Sequence, residues 1–523
     1  MPPESDSGLR NRVFRRCGLA GLALTLLLLI PPSLPLGIPG EWVWPRLAAP
    51  ADLIEWLERG LSPLAAGLLV FGVAAWGDRK VVSCSRPVWY GLLSVLAATA
   101  ICWQLAILSA APSPQSDLRL FWVNYDPWAT GYFLDAVNDK RSPAEFLSAY
   151  ETVVAAGDVL HKGTHPPGLP LLNRLLLSGT RAAPRFSAAL VRLADGAAMS
   201  AFRMLERQAR LARPLTDPEL AVLILLAGAA LGCIAAIPVL IAVFVGHFQP
   251  RNVAWRAAVL SMSIPSVGVF LPRSDVYYAA FSLLLLLLIA RGLKSAGWKR
   301  ACLWGCFSGL WAFICMQTSL AHLPVLVAAM LWTLLSLRRG LQTSASGAAL
   351  CWLGFCCMFA LLVLGFGFST GCRPWVVWQQ NLSNHAGFYG QYPRTWWKWL
   401  LVNPLELGLA AGLPVVFLAV RATANAVWQI SSKKSGSMWS ALTLALATTW
   451  LLLLFSGKNQ GEAARLWTLF TPWAVLSAAT LLTGLPEFSK YPERTGTGWL
   501  LLLVCQQLVC VITVGRVSGY LQL

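Results

Sequence analysis

Apolar residues run along this chain in long blocks, broken by short polar interruptions. About 20 apolar residues in a helix cross a bilayer, and tilt or a short helix loosens that number. The blocks predict crossings near 17–38, 61–76, 88–111, 219–246, 256–271, 276–290, 301–316, 320–337, 347–368, 399–420, 438–456, 464–483 and 498–514, about thirteen in all. The expected fold is all-α, a polytopic integral membrane protein. It divides into N-terminal transmembrane helices over 1–111, a large external loop with juxtamembrane helices over 112–218, and a helix bundle with external loops over 219–523.

Charge orients the bundle. Threading the crossings in order puts "RNRVFRR", "DRKVVSCSR", "RGLKSAGWKR", "LRRG" and "RATANAVWQISSKK" on one side. Lys and Arg accumulate in cytoplasmic loops, so that side is read as cytoplasmic. The external side receives 112–218, "PRSD" at 272–275, "QTSLAH" at 317–322, the stretch 369–398 and "SGKNQGEAAR" at 456–465. The N-terminal "RNRVFRRCGLAGLALTLLLLIPPSLPLG" has the basic flank and apolar core of a signal peptide. No A-x-A-like site follows it, so it reads as the first crossing.

Arg181, Arg185, Arg192, Arg203, Arg207, Arg210 and Arg213 run against this orientation, although long loops obey the charge bias weakly. A crossing at "GLPLLNRLLLS" would invert every later loop, and that segment is short and holds Arg174. Residues 166–180 therefore read as an amphipathic helix in the membrane surface, with the arginines beyond it facing anionic headgroups or an anionic substrate. "PAEFLSAYETVVAAGDVL" also has helical spacing, with Pro143 near its start.

Composition agrees with the pattern. The 523 residues are 57% hydrophobic and 12% charged, whereas soluble domains carry about 25% charge. The net charge of +18 comes from cations spread over short loops, so no nucleic-acid partner is expected. Most of the thirteen Cys sit in apolar runs without metal or disulfide spacing, as small buried hydrophobes do.

Two motifs could carry chemistry. In "LFWVNYDPWATGYFLDAVND", Asp126 follows the third crossing between Tyr125 and Pro127, and Tyr132, Asp135 and Asp139 come after it. A carboxylate at a membrane surface, near Trp122 and Trp128, is placed to act as a general base. An Asp-Pro turn before a solvated helix is the plainer reading. In "HKGTHPPGLPLL", Pro166 and Pro167 fix His165 ahead of a helix N-terminus, whose partial positive charge suits an anion. The His could bind phosphate, donate a hydrogen bond or bind a metal, or simply lie at the interface.

An aspartate loop after an early crossing, followed about 40 residues later by His-Pro-Pro at a surface helix, resembles the GT-C membrane glycosyltransferases. The resemblance is to the protein O-mannosyltransferases and lipid A aminoarabinose transferases. It implies an inverting sugar transfer from a polyprenyl phosphate, with Asp126 matching the catalytic Asp and His165, Pro166 and Pro167 matching a Pro-Pro motif. The chain departs from that pattern in having Asp-Pro where the mannosyltransferases have Asp-Glu, two additional early crossings, and the insertion 181–216.

Other external residues fit the same expectation. Arg273 and Asp275 stand at one crossing's end, as a local ion pair or a polar site turn. Thr318 and His322 are four apart and could line one pocket, or be ordinary helix-end polarity. His385 and Tyr389 lie in an aromatic, amide-rich loop suited to a sugar or to an interface belt. Asn381-Leu-Ser is a glycosylation pattern. Lys458 and Arg465 are cations for a departing lipid phosphate, or interfacial residues that snorkel.

The reading is a transferase of the bacterial inner membrane with its site on the periplasmic face. Asp126 and His165 would be catalytic. Arg465, Lys458, Tyr132, Asp135, Asp275, His322 and His385 would bind substrate. The partners would be a polyprenyl-phosphate-linked sugar, a lipid, glycan or protein acceptor, and membrane lipids. A divalent metal is compatible with the Asp and His content, but no ligand spacing demands one. A transporter or lipid flippase is the alternative, weakened by polar residues gathered in one-sided loops. A non-catalytic membrane scaffold is a third.

Overall fold

The computed structural model describes residues 6–113, 115–160, 162–208, 213–341, 344–432, 437–482 and 497–519. The chain opens with α1 (Asp6–Leu29), a short antiparallel pair β1 (Gly37–Ile38) and β2 (Trp42–Val43), then α2 (Leu53–Lys80) and α3 (Arg86–Ile107). Seven shorter helices follow: α4 (Gln115–Tyr125), α5 (Tyr132–Asn138), α6 (Pro143–Ser148), α7 (Tyr150–Ala155), α8 (Gly168–Ala182), α9 (Pro184–Leu193) and α10 (Ala197–Gln208). The main bundle comprises α11 (Asp217–Gly246), α12 (Arg251–Ser261), α13 (Pro265–Phe270), α14 (Asp275–Leu293), α15 (Trp298–Thr318), α16 (Leu323–Arg338) and α17 (Ala345–Thr370). It continues through α18 (Pro374–Gln391), α19 (Trp396–Ala411), α20 (Leu413–Ser431), α21 (Met438–Phe455), α22 (Ala463–Leu466), α23 (Thr471–Ala478) and α24 (Thr497–Arg516).

Among the described residues, ten helices are long and apolar enough to cross a membrane: α2, α3, α11, α14, α15, α16, α17, α20, α21 and α24. The protein is a polytopic helical membrane protein, with fewer uninterrupted spans than the expected thirteen. Three expected crossings differ for separate reasons. The first, expected over 17–38, ends at Leu29, where the chain turns toward the β pair, and the helix that contains it begins instead among Arg10, Arg12, Arg15 and Arg16. The block 256–271 breaks before Pro265, which has no amide to donate and pushes Ile264 into extended backbone. The block 464–483 divides into short helical turns, and its last residue lies outside the described residues. A fourth block, 399–420, splits at Gly412, whose φ of 92° ends α19; α20 restarts there with Pro414 in its first turn.

Broken helices leave carbonyls without intrahelical donors, and hydrocarbon offers no replacement. Two glutamines supply it. Gln104 of α3 donates to the Met262 carbonyl at 2.8 Å. Gln506 of α24 donates to Ser263 and to Ala411, both at 3.0 Å, and so serves both breaks with one amide. A Cβ on Gly412 would stand 2.0 Å from that amide.

The basic turns gather at one end of the bundle. Asp78 pairs with Arg256 at 2.8 Å, Arg251 donates to the Cys84 carbonyl, and Lys294 donates to the His247 carbonyl. Lys433, Lys434 and Arg210 lie outside the described residues. The other end carries the β pair, α4–α10 and α18. α8 is short and packs beside α5 and α11, with Arg174 buried between Asp135 at 2.7 Å and Asp139 at 2.8 Å. All thirteen cysteines are free thiols.

Candidate functional site

The His-Pro-Pro-Gly segment is shaped by contact with α15. Pro167 occupies the N-cap position of α8, and its carbonyl accepts from Leu171 N–H at 2.8 Å. A Cβ on Gly168 would lie 2.3 Å from the Gln317 carbonyl oxygen, so only glycine lets the first turn of α8 sit on the end of α15. The preceding loop is tied down from two sides. Tyr150 donates its hydroxyl to the His165 carbonyl at 2.9 Å, and Asn381 and Asn384 donate to the Gly163 carbonyl at 2.7 and 2.9 Å. Asn381 is thereby buried and engaged, which removes it as a glycosylation acceptor in the folded protein. The His165 ring is left edge-on to Tyr132, with Nδ1 3.0 Å from the Thr164 hydroxyl.

His165 faces a cavity of about 370 Å³ at this end of the bundle. Trp42 of β2 with the flanking Glu41 and Trp44 forms one wall, and His385, Phe388 and Tyr389 of α18 with Tyr392 just past its end form another. The segment Asn459–Leu466 and the side chains of Trp128, Arg273 and Arg394 complete it. Arg273 is buried and Arg465 partly buried, and the Nε of each is shielded from solvent with no hydrogen-bond partner. Arg465 forms an ion pair with Glu462. Burial and the neighbouring Arg465 push the Arg273 guanidinium down to about 10, which still leaves it cationic at neutral pH. Asp275, the first residue of α14, is a counter-charge to both arginines. Buried guanidinium groups with open donors are a site for an anion.

Asp126 lies within the field of Arg273 but does not itself line the cavity. Its Oδ1 accepts from the Trp128 N–H at 3.0 Å. Burial raises its pKa, while that hydrogen bond and the field of Arg273 pull it back. Tyr132 is buried between Asp126 and His165 in sequence, and desolvation, with Tyr278, Tyr150 and Asp275 nearby, holds its hydroxyl protonated. Burial, Lys458 and His165 all lower the His385 pKa, so its imidazole is neutral at neutral pH.

The loop bearing Arg465 has an unusual backbone. Gly457, Asn459, Gly461 and Glu462 all have positive φ, at 69°, 57°, 81° and 56°. Non-glycine residues in that region cost about 1 kcal/mol or more each and persist only when their surroundings fix them. One stripe of α19 does the fixing. Trp396 packs under Gly457, Trp399 under Gly461, Asn403 donates to the Asn459 carbonyl at 3.3 Å, and Glu406 accepts from Ala464 N–H at 3.4 Å. These four are spaced by three, four and three residues, the rhythm of a single helix face. Tyr389 of α18 accepts from Gln460 N–H at 2.8 Å on the other side.

Of the expected site residues, His165, His385 and Arg465 line the cavity, whereas Asp126, Tyr132 and Asp275 lie behind it, near Arg273, His165 and the two arginines respectively. Asp135 goes elsewhere: it pairs with Arg174 and Lys162 and joins Asp139 in a structural ion cluster. His322 does not line the cavity either. Its Nδ1 sits 3.0 Å from the Ser319 carbonyl and its ring packs on Tyr278 and Phe281 in the interior. Lys458 is exposed at the rim and reaches the site only through its field on His385. Arg273 forms no ion pair with Asp275 among the described residues; it points into the cavity instead. Glu41, Trp42, Trp44, Arg394 and Gln460 were not anticipated. Their segments touch only in three dimensions, as where Glu41 accepts from Thr395 and Trp399, more than 350 positions away. No group of three or more His, Cys, Asp or Glu side chains among the described residues could hold a metal ion.

No protein-family model, curated protein or solved structure matches this chain.

Proposed function

We propose that this protein is a membrane glycosyltransferase that moves a sugar from a polyprenyl phosphate to an acceptor hydroxyl on the external face of a plasma membrane. The observation that carries the reading is the pairing of Arg273 and Arg465, each with an open Nε donor, in an aromatic-walled cavity at one end of a membrane bundle, with Asp126 in the field of Arg273 next to it. A departing lipid phosphate needs fixed cations. A sugar suits aromatic faces with hydroxyl and amide groups among them, here Trp128, Tyr389, Gln460 and Asn459. A second, apolar cavity of about 130 Å³ shares Trp44 with the first and is lined by Leu28, Leu36, Phe270, Leu405 and Leu409. It suits the hydrocarbon next to the phosphate.

In the proposed reaction the Asp126 carboxylate takes the proton of the acceptor hydroxyl. The acceptor oxygen forms a bond to the anomeric carbon as the bond from that carbon to the phosphate oxygen breaks. The electron pair leaves with the polyprenyl phosphate, held by Arg273 and Arg465. His165, fixed by Thr164 and Tyr132, orients the donor.

The test is transfer from a panel of radiolabelled polyprenyl-phosphate sugars by purified protein in nanodiscs. Arg465→Gln should weaken donor binding and lower turnover by about 10²- to 10³-fold. Asp126→Asn should lower turnover by about 10²- to 10⁴-fold while donor binding survives. Absence of turnover with every donor would direct attention to transport of an anionic lipid through the same cavity.

A further inference from the structure

We propose that α9 and α10 form a shelf at the membrane interface that binds anionic lipid headgroups. This surface is separate from the cavity and does not depend on the sugar-transfer reading. α9 buries Ser187 and Val191, one turn apart, and turns Phe186 and Leu193 outward, 51% and 85% exposed. Arg185 and Arg192, also exposed, run alongside that apolar ridge. In α10, Met199 and Phe202 are buried, whereas Met204 is 62% exposed beside the exposed Arg207.

The shelf holds unbalanced positive charge. Glu219 takes Arg181 and Arg213. The Glu206 carboxylate is committed to the Leu215 N–H at 2.5 Å, and Arg192 donates only to the Ala188 carbonyl of its own helix. Arg185, Arg203 and Arg207 have no ion pair among the described residues. The depth of the shelf is set by α11, a crossing helix. α9 packs on α11, a helix long and apolar enough to cross a membrane, and the Arg213–Glu219 pair lies at its first turn, the end at which such a helix would enter the hydrocarbon. An exposed apolar ridge flanked by arginines, at that depth, has the layout of an interfacial helix. The ridge dips among acyl chains while guanidinium groups reach lipid phosphates. The arginines stand at the end opposite the basic turns, against the usual charge bias. Anionic headgroups in the leaflet that α9 and α10 touch offset that arrangement.

Nanodiscs made from equal parts phosphatidylglycerol and phosphatidylcholine, followed by native mass spectrometry, count the lipids retained on intact protein. The wild type should retain phosphatidylglycerol preferentially. The triple variant Arg185→Gln, Arg192→Gln, Arg207→Gln should lower the ratio of the two lipids by about fivefold or more. The corresponding triple Lys variant should keep most of the preference. Because both lipids are counted on the same folded particles, loss of folded protein does not imitate the result. Equal ratios in wild type and Gln variant, or no preference in the wild type, would overturn the proposal.

Discussion

At the scale of single residues, environment decides chemistry. Asp126 and Asp139 are both carboxylates in one short stretch, yet their pKa values move in opposite directions. Asp139 is held far below the usual carboxylate range, chiefly by Arg141, with Arg174 adding to it. Asp126 is raised by burial. A base must be ionised, so the rate of transfer should climb with pH through a limb lying above the ordinary Asp value of about 3.9. A limb at or below the ordinary value in a pH–rate profile would remove Asp126 from that role. Glu41 offers a contrasting test. Burial is the largest single effect and raises it, but hydrogen bonds from Thr395 and Trp399, with the Lys398 charge, together overcome that and hold it at about 2. A depressed folded value means the contact stabilises fully above the ordinary Glu value of about 4.3 and is lost as pH falls toward 2. Protection of the Gly37–Val43 amides, taken relative to their intrinsic exchange rates, should therefore fall between pH 4 and pH 2, and Glu41→Gln should flatten that fall.

At the scale of elements, α19 is the splint that holds the arginine loop in a strained form. Its first two contacts, Trp396 and Trp399, pack under glycines, and the next two, Asn403 and Glu406, are hydrogen bonds to the loop backbone. Glu406→Ala removes the acceptor for Ala464 N–H, one residue before Arg465. Exchange at amides 459–466 should then speed up by about tenfold, a loss of one backbone hydrogen bond, while Glu406→Gln keeps an acceptor and restores protection. That readout needs no ligand, so it stands whatever the cavity binds. The helical spacing of 396, 399, 403 and 406 was visible in the sequence. What the stripe faces was not, because it meets a loop some 60 residues further on.

At the scale of the whole molecule, buried amides from distant helices hold the broken helices. Gln506 supplies a donor to carbonyls at two separate breaks. Gln506→Leu leaves both carbonyls without that donor, at a cost of about 1–3 kcal/mol for each buried group left unpaired. The variant should show a lower unfolding midpoint in detergent than Gln507→Leu, whose one amide contact, with Gly67, is at 3.2 Å. Equal midpoints would show that these breaks are held by packing alone.

The sequence by itself determined the class. Long apolar blocks leave a helix as the chain's way to satisfy its backbone in lipid, so most spans and their order were legible. It also brought forward Asp126, His165 and Arg465, because a charged or imidazole side chain among so much hydrocarbon is conspicuous. Tertiary structure decided the rest. Prolines and glycines that punctuate an apolar block do not say whether the helix ends or merely bends, since that depends on donors such as Gln104 and Gln506 from elsewhere. Nor do charges reveal their partners. Asp135 and Arg273 both stood in the sequence as charged residues on the external side, but one was drawn into an ion cluster by Arg174, 39 positions away, and the other was left with an open donor facing the cavity. Long-range pairing settles which polar residues are satisfied and which remain available to a ligand, and local sequence carries no record of that pairing.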